Sequence, residues 1–109
     1  MSFRVAAASS DGKFINQHFG RASQFYIFEI RDDQYHFVEL RKNVPPCGGG
    51  EHDEDTLRKS VNLIGDCRVV LVNQIGPGAA SVLNSRGIQS FRVQNFIEEA
   101  LEKLISYRN

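Results

Sequence analysis

The chain contains few cysteines for its size. It has 109 residues and 2 cysteines, Cys47 and Cys67, which are too few to cross-link a small secreted protein. Nothing in the sequence indicates that these side chains reach each other, so we interpret both as free thiols. The sequence therefore excludes a disulfide-stabilised scaffold.

The sequence also lacks an excess of charge of one sign. Its 13 Lys and Arg residues balance 13 Asp and Glu residues, so no strong net field attracts nucleic acid or an anionic membrane. No apolar run approaches the roughly 20 residues of a helix that crosses a bilayer, and residues 1–10 lack the organisation of a signal peptide. We therefore expect a cytoplasmic protein with no nucleic-acid partner and no membrane partner.

The composition that is present is that of an ordinary globular protein. The hydrophobic fraction is 41% and the charged fraction is 24%, both near the averages of folded domains. A chain of this length has room for one core. We therefore predict a single domain over residues 1–109.

The first half of the chain has the pattern of three strands. Residues 3–9 are mostly apolar, and residues 24–30 and 35–41 are rich in aromatic and β-branched side chains. The polar residues 31–34 between the last two runs predict an antiparallel hairpin. Paired prolines and three consecutive glycines make residues 43–51 a loop.

Helical and strand patterns alternate in the second half. Leu57, Val61 and Ile64 recur at helical spacing, with Asp53 as the expected N-cap and Gly65 expected to end the helix in a left-handed conformation. Strand patterns follow at residues 67–73 and 88–93, and a second helix between them begins after Gly76–Gly78 and ends at Gly87.

The last helix has one apolar stripe and begins near Asn95 and Glu98, which we expect to form a capping pair. The predicted order is βββαβαβα. This order predicts an α/β fold with a mixed sheet of about five strands flanked by helices.

Ligands of such sheets collect beyond the carboxyl ends of the strands. Three loops are therefore candidates for the walls of one site: residues 9–21, residues 43–53 and residues 75–78.

The first of these loops contains an imidazole and a guanidinium, from His18 and Arg21, on either side of Gly20. Glycine permits close approach to the backbone, so a ligand-binding role is chemically available to the two side chains. In the alternative interpretation, His18 and Gln17 only hydrogen-bond the loop while Phe19 fills the core.

The second loop contains a thiol and an imidazole. Cys47 is followed by Gly48–Gly50 and by His52. Thiolate and imidazole ligate iron–sulfur or copper centres, and free amides at a helix start favour anions. One Cys and one His do not complete a zinc site. The alternative is a glycine loop with an incidental exposed thiol.

Other candidate sites have simpler explanations. Cys67 lies in a strand pattern and is expected to be buried. Residues 75–78 match neither a phosphate loop nor a dinucleotide fingerprint, so we expect no nucleotide cofactor. The chain has no nucleophile elbow, and no orienting third residue completes a Cys47–His18 pair, so we expect no enzymatic activity.

Residues 9–22, Ser-Ser-Asp-Gly-Lys-Phe-Ile-Asn-Gln-His-Phe-Gly-Arg-Ala, resemble the dinitrogenase iron–molybdenum cofactor biosynthesis family. The resemblance covers nearly the whole chain. Its further matches are, in order, residues 25–30, Arg41, Cys47-Gly-Gly, Asp66-Cys67, Ile75-Gly76, Leu83, Gly87-Ile88 and residues 97–100.

The resemblance implies a ribonuclease H-like mixed sheet. The family includes small carriers of nitrogenase cofactor precursors and a domain attached to the radical enzyme that builds the precursor cluster. Because the chain is similar to that domain alone, the resemblance implies binding, storage or delivery of an iron–sulfur or iron–molybdenum cluster as cargo. Cluster-donating and cluster-accepting proteins are the implied partners, for a chain that is a monomer or a small homo-oligomer.

The resemblance also implies a set of binding residues. His18 matches the family's candidate ligand in the Asn-Gln-His-Phe-Gly segment, and Cys47 matches the cysteine of its Cys-x-Gly-Gly segment. Some relatives have a further cysteine just beyond that segment, where His52 is the available substitute. Neutralisation of an anionic cluster is expected from Arg21, Arg41 and the backbone amides of Gly48, Gly49 and Gly50.

Two other functions remain open at this stage. The loops of a regulatory or protein-interaction module would bind a partner without metal. A metal-dependent phosphoesterase would use Asp11 on the mixed sheet.

Overall fold

The computed structural model of the chain describes residues 2–43 and 54–108. Three strands come first, β1 (Ser2–Ala8), β2 (Gln24–Arg31) and β3 (Gln34–Lys42), with a 3-10 turn at Phe19–Arg21 between β1 and β2. The second part contains α1 (Glu54–Leu63), β4 (Val69–Val72), α2 (Pro77–Ser85), β5 (Gln89–Arg92) and α3 (Ile97–Arg108).

The strands form one five-stranded sheet in the order β3-β2-β1-β4-β5. β1 pairs antiparallel with β2, and β2 pairs antiparallel with β3. β1 pairs parallel with β4, and β4 pairs parallel with β5. The predicted mixed sheet flanked by helices is thus confirmed. One consequence is that the carboxyl ends of β1, β4 and β5 all lie at the same edge of the sheet, and we call this edge the upper edge.

Alternation along the central strands builds a core on each face of the sheet. Ala6 and Ala8 of β1 point to one face, where they pack with side chains of α1 and α2. Val5 and Ala7 point to the other face, where they pack with side chains of α3. All four residues are fully buried. Because β1 is covered on both faces, it reads as a continuous apolar run rather than as an alternating one.

The edge hairpin turns at Asp32, whose φ of 58° is left-handed. Asp tolerates this region better than most residues because its side chain bonds locally to the backbone. Along β3, Val38 has no partner in β2, because Glu39 pairs with Ile27 and Phe37 pairs with Phe28. β3 therefore contains a β-bulge at Val38.

Two expected helix ends are wrong in detail. Gly65 is not in the left-handed region, which among the described glycines contains Gly12 and Gly87. The chain leaves α1 through successive tight turns, in which the Gly65 amide donates to the Asn62 carbonyl at 3.1 Å, so no left-handed residue is required. Gly87 does end α2 as predicted, with φ of 77°.

The expected capping pair of α3 is also replaced by other contacts. The side-chain Oδ1 of Asn95 accepts a hydrogen bond from the neighbouring Phe96 amide at 2.8 Å. The Ile97 amide donates instead to the Lys13 carbonyl of the loop after β1, at 2.8 Å. That loop therefore satisfies an amide that a capping side chain satisfies in an isolated helix. The Asp53 cap predicted for α1 lies outside the described residues.

No helix within the two described ranges is both long and apolar enough to cross a membrane.

Candidate functional site

The loop between β1 and β2 lies at the upper edge and is bonded directly to the chain that leaves β4. The Phe19 amide donates to the Gln74 carbonyl at 2.9 Å, and the Asn73 amide donates to the Gln17 carbonyl at 2.9 Å. His18 and Gln74 form an isolated parallel β-bridge. The backbone of His18 is therefore held like a short strand beside the end of β4.

The residues on either side of His18 have structural roles. Phe19 is fully buried and its ring centroid lies 5.9 Å from that of Phe25. The side chain of Gln17 donates to the Ser23 hydroxyl at 3.2 Å and accepts from the Ser23 amide at 3.3 Å. Phe19 and Gln17 therefore have the structural roles that the alternative interpretation gave them. His18 itself is exposed.

His18 and Arg21 open onto the same cleft, which has a volume of about 660 Å³. Within the part of the chain that the structure describes, Arg21 has no carboxylate partner. Its guanidinium is therefore available to an anion in the cleft. The remaining lining residues are Gly20, Asn73, Gln74, Ile75 and Gly76.

The start of α2 forms one wall of this cleft. Gly76 is the N-cap of α2, and Pro77 occupies the first turn. The amides of the first turn lack partners inside the helix, and the helix dipole places partial positive charge there. This end of the cleft therefore suits a negatively charged ligand.

The loop walls were predicted from the sequence, but Asn73 and Gln74 were not. Their signal was positional, since both follow a buried strand at its carboxyl end. Asn73 also binds the loop by its side chain, because Nδ2 donates to the Ile15 carbonyl at 3.3 Å.

The second predicted loop begins next to the first. The Asn43 amide donates to the Ser23 carbonyl at 2.9 Å, and its Nδ2 donates to the Ala22 carbonyl at 2.9 Å. The Ser60 hydroxyl on α1 donates to Oδ1 of Asn43 at 3.1 Å. The end of β3 therefore lies beside Ala22, the residue that follows the 3-10 turn. Beyond this point, the predicted site residues Cys47, Gly48, Gly49, Gly50 and His52 lie outside the described residues.

Among the predicted binding residues that the structure describes, Arg41 forms its hydrogen bonds away from the His18 cleft. Its guanidinium donates to both carboxylate oxygens of Asp66, at 2.6 and 2.9 Å, and to the Leu63 carbonyl at 2.8 Å. Nε donates to Glu39 at 2.6 Å. These bonds show a structural role, in which Arg41 joins β3 to the turn after α1. Its cluster-binding role stays a prediction and has no support from this geometry.

The side chain of Asp11, the acidic candidate, is also bonded within its own loop. Its Oδ1 accepts hydrogen bonds from the Lys13 amide at 2.9 Å, the Phe14 amide at 3.1 Å and the Ser9 hydroxyl at 3.0 Å. The backbone hydrogen bonds lower the pKa of Asp11. Over residues 2–43 and 54–108, no three His, Cys, Asp or Glu side chains converge on a metal position.

Another open cleft, of about 640 Å³, lies at the opposite edge of the sheet, where β1, β4 and β5 begin. Its lining is mainly apolar and includes Phe3, Phe91 and Leu104, with no His, Cys, Asp or Glu. The lining of this cleft therefore contains no imidazole, thiol or carboxylate ligand for a metal cluster.

Comparison with curated proteins identifies relatives over most of the chain. The chain is 35% identical over 107 residues to the FeMo cofactor biosynthesis protein NifB of Chlorobaculum tepidum, and the alignment covers 96% of this chain and 24% of that protein. It is 30% identical over 110 residues to Protein NifX of Sinorhizobium fredii, which covers 96% of this chain and 67% of that one. The chain thus spans at most about a quarter of the NifB relatives.

Solved structures have the same fold. The crystal structure of PH0822 superposes with a TM-score of 0.74 at 28% identity, over 95% of this chain and 89% of that one. The apo form of the orange protein from Desulfovibrio gigas superposes with a TM-score of 0.68 at 16% identity, over 96% of this chain and 88% of that one.

The family profile described as dinitrogenase iron–molybdenum cofactor matches residues 1–107. The match covers both the His18 loop and the wall at the start of α2. The chain belongs to the dinitrogenase iron–molybdenum cofactor family.

Proposed function

We propose that this chain binds, stores or delivers an anionic metal–sulfur cluster as cargo and does not transform it. The cargo is the iron–molybdenum cofactor, its precursor or a related cluster. One observation carries the proposal: in a member of this family, His18 and Arg21 open together onto one cleft at the start of α2.

His18 supplies the ligand chemistry. Imidazole is a common metal ligand in its neutral form. The backbone on either side of His18 is tied to β4 at Gln17 and Phe19, so little conformational freedom is lost when the imidazole binds. This pre-organisation favours affinity for a large, rigid cluster.

Charge complementarity supports an anionic cargo. Arg21 contributes a guanidinium, which forms charge-assisted hydrogen bonds to anionic sulfides or carboxylates. Gly76, the N-cap of α2, brings the positive end of the helix dipole to the same cleft. Arg41 is left out of this set because Asp66 and Glu39 already occupy its donors.

Cys47 is the proposed second ligand, with the Gly48–Gly50 amides as further donors and His52 as an accessory ligand. This assignment rests on the family resemblance. It is supported by the anchoring of Asn43 beside Ala22 and Ser23, which starts the segment at the same edge as His18.

The partners of such a carrier are a protein that donates the cluster and a protein that accepts it, in the cytoplasm. The relatives' names associate them with FeMo cofactor biosynthesis. We assign to this chain only the cluster-handling part of that process, because it corresponds to a minor share of the NifB relatives.

The test is an anaerobic titration of the protein with isolated iron–sulfur and iron–molybdenum clusters. Visible absorption that co-elutes with the protein in gel filtration measures retention. We expect stoichiometric retention by the unmodified chain and at least tenfold weaker retention by His18→Ala and by Cys47→Ala.

The matched control is His36→Ala, which removes an exposed imidazole on β3 and leaves the cleft unchanged. Equal retention by all four proteins would refute the ligand assignment. If the unmodified chain retains no cluster, the carrier function is wrong, and the metal-independent interaction module takes its place.

A further inference from the structure

The outer edge of β3 is open in the described part of the chain. β3 is the first strand of the sheet order, and no described strand lies beyond it. An edge strand presents unpaired amides and carbonyls, which form a template for pairing with another strand. Soluble proteins usually protect such an edge with charged or short strands.

The side chains of this edge are unusually apolar for a solvent-facing strand. Phe37 is 54% exposed, Val38 is 36% exposed and Leu40 is 39% exposed. Among the described residues, only two other large hydrophobic side chains are exposed to this degree, Phe96 and Tyr107. Three of the five exposed large hydrophobic side chains therefore lie within four consecutive positions of β3. Such an apolar patch indicates an interaction surface.

The aromatic side chains of β2 support this surface from one side. The Phe37 ring lies 5.7 Å from the Phe28 ring and 6.1 Å from the Tyr26 ring, between centroids. Phe37 is thus fixed by its inner neighbours, while more than half of it remains accessible. A fixed aromatic side chain loses little entropy when a partner covers it.

The bulge at Val38 decides which side chains share a face. Because it shifts the alternation by one residue, Tyr35, Phe37 and Leu40 all point to the α3 face, opposite Ile30, Phe28 and Tyr26. Charged and polar residues, Glu39 and His36, point to the other face, opposite Ile27 and Glu29. One face of the edge is therefore apolar and the other is polar.

We propose that β3 pairs antiparallel with β3 of a second copy of this chain, about a two-fold axis perpendicular to the sheet. A symmetric interface must be complementary to itself. β3 meets this condition when Tyr35 of one copy lies opposite Leu40 of the other, because both residues point to the α3 face.

Charge complementarity favours the same register. It places His36 of one copy opposite Glu39 of the other on the polar face, and it brings Lys42, the last residue of β3, next to Asp33 in the hairpin turn of the other copy. A register shifted by two residues places His36 opposite Arg41, which brings two basic groups together. Opposite charges across a strand pair stabilise it and like charges destabilise it.

The pairing produces a continuous sheet of two copies and leaves both cluster clefts open. Because the strands run antiparallel, the upper edges of the two copies point in opposite directions, so the His18 side chains are not shared. The dimer therefore does not depend on the proposed cluster, and its formation is tested on protein without metal.

Sedimentation equilibrium of the 109-residue chain over about 1–200 µM tests the proposal. We expect a concentration-dependent species of twice the monomer mass of 12.3 kDa. Phe37→Lys should abolish it, because a charge then lies in the apolar centre of the interface. The matched control is Tyr107→Lys, since Tyr107 is 87% exposed on α3 and lies away from β3.

The pair of Lys42 and Asp33 tests the register. Asp33→Lys brings two lysines next to each other and should weaken the dimer by about threefold to tenfold. The double variant Asp33→Lys, Lys42→Asp should restore it, and raised salt should reduce the difference between the two variants.

Far-ultraviolet circular dichroism establishes that each variant is folded. A chain that stays monomeric throughout overturns the proposal. So does a dimer that Phe37→Lys leaves intact, because the interface then lies elsewhere. A dimer lost in Phe37→Lys but not rescued by the charge swap overturns the register.

Discussion

Arg41 on β3 binds Asp66 in the turn before β4 through two hydrogen bonds, at 2.6 and 2.9 Å. Asp66 also accepts a hydrogen bond from Arg4 on β1, at 2.9 Å. One carboxylate thus joins the edge strand, the centre of the sheet and the turn after α1. The side chain of Arg41 is only 15% exposed, so the pair acts as a structural tie rather than as a free surface charge.

This tie makes stability depend on acidity. The hydrogen bonds from Arg41 lower the pKa of Asp66 well below its usual range. A carboxyl group with a lowered folded pKa contributes stability above its unfolded pKa, which is about 4, and loses it as the pH falls toward the folded value. We expect the free energy of unfolding to decrease below about pH 4.

Urea unfolding of Asp66→Asn at several pH values measures this effect. At pH 7 we expect a loss of about 1 kcal/mol, because the Asp66 side chain is 43% exposed and solvent screens the pair. The difference should begin to shrink below about pH 4 and should vanish only as the pH approaches the lowered folded pKa of Asp66. A constant difference across the whole range would contradict the assignment of the pH dependence to Asp66.

The two arginines predicted to bind the cluster should differ in their effects. Arg21→Ala removes a free guanidinium from the cleft, and we expect about tenfold weaker cluster retention with unchanged stability. Arg41→Ala removes the tie to Asp66, and we expect lower stability with unchanged retention by the folded protein. Gel-filtration retention and urea unfolding of both variants separate the two roles, and the opposite pattern would return Arg41 to the site.

Two left-handed glycines offer a matched pair of substitutions. Gly12 and Gly87 have φ values of 75° and 77°, so alanine at either position costs about 1 kcal/mol in backbone strain. A β-carbon at Gly12 would also lie 2.8 Å from the Tyr26 ring, whereas one at Gly87 meets nothing within 4 Å. We expect thermal unfolding to show a larger loss for Gly12→Ala, and equal losses would mean that the ring moves without cost.

The buried thiol should be chemically inert. Cys67 is 3% exposed. Its burial, and to a lesser degree the negative charge of the neighbouring Asp66, raise the pKa of its thiol to about 12. At pH 8 almost no thiolate is present to react. In the Cys47→Ala variant we expect a disulfide reagent to label no thiol in the native protein and one thiol in denaturant. Rapid native labelling would show that the segment between α1 and β4 opens readily.

The elements of the fold could be predicted because each depends on neighbours in sequence. The apolar run over residues 3–9, the aromatic runs of the hairpin and the apolar stripe of α3 give periodic signals that do not require knowledge of distant contacts. Helix ends were less predictable. The amide of Ile97 is satisfied by Lys13, a residue that no local capping rule identifies.

The candidate site was predictable in part for the same reason. His18 and Arg21 are close in sequence, so their placement on one loop followed from the motif. The Asn73–Gln74 part of the opposite wall did not, because these residues meet the loop through backbone hydrogen bonds, and such bonds have no side-chain signature. Arg41 was assigned to cluster binding from the family resemblance. Its ion pair was not foreseen, because its partner Asp66 lies 25 positions away and the sequence does not reveal the contact.

The sequence by itself determined the class of the fold, the family and the chemical groups available to a ligand, since composition, periodicity and motif are local properties. Tertiary structure decided which of those groups are free. Parallel pairing of β1 with β4 brought the His18 loop to the start of α2. Folding of the hairpin placed Arg41 within hydrogen-bond distance of Asp66. The bulge at Val38 turned Phe37 and Leu40 to the same face of the sheet. Each outcome depends on contacts between distant segments, which form only when the sheet closes.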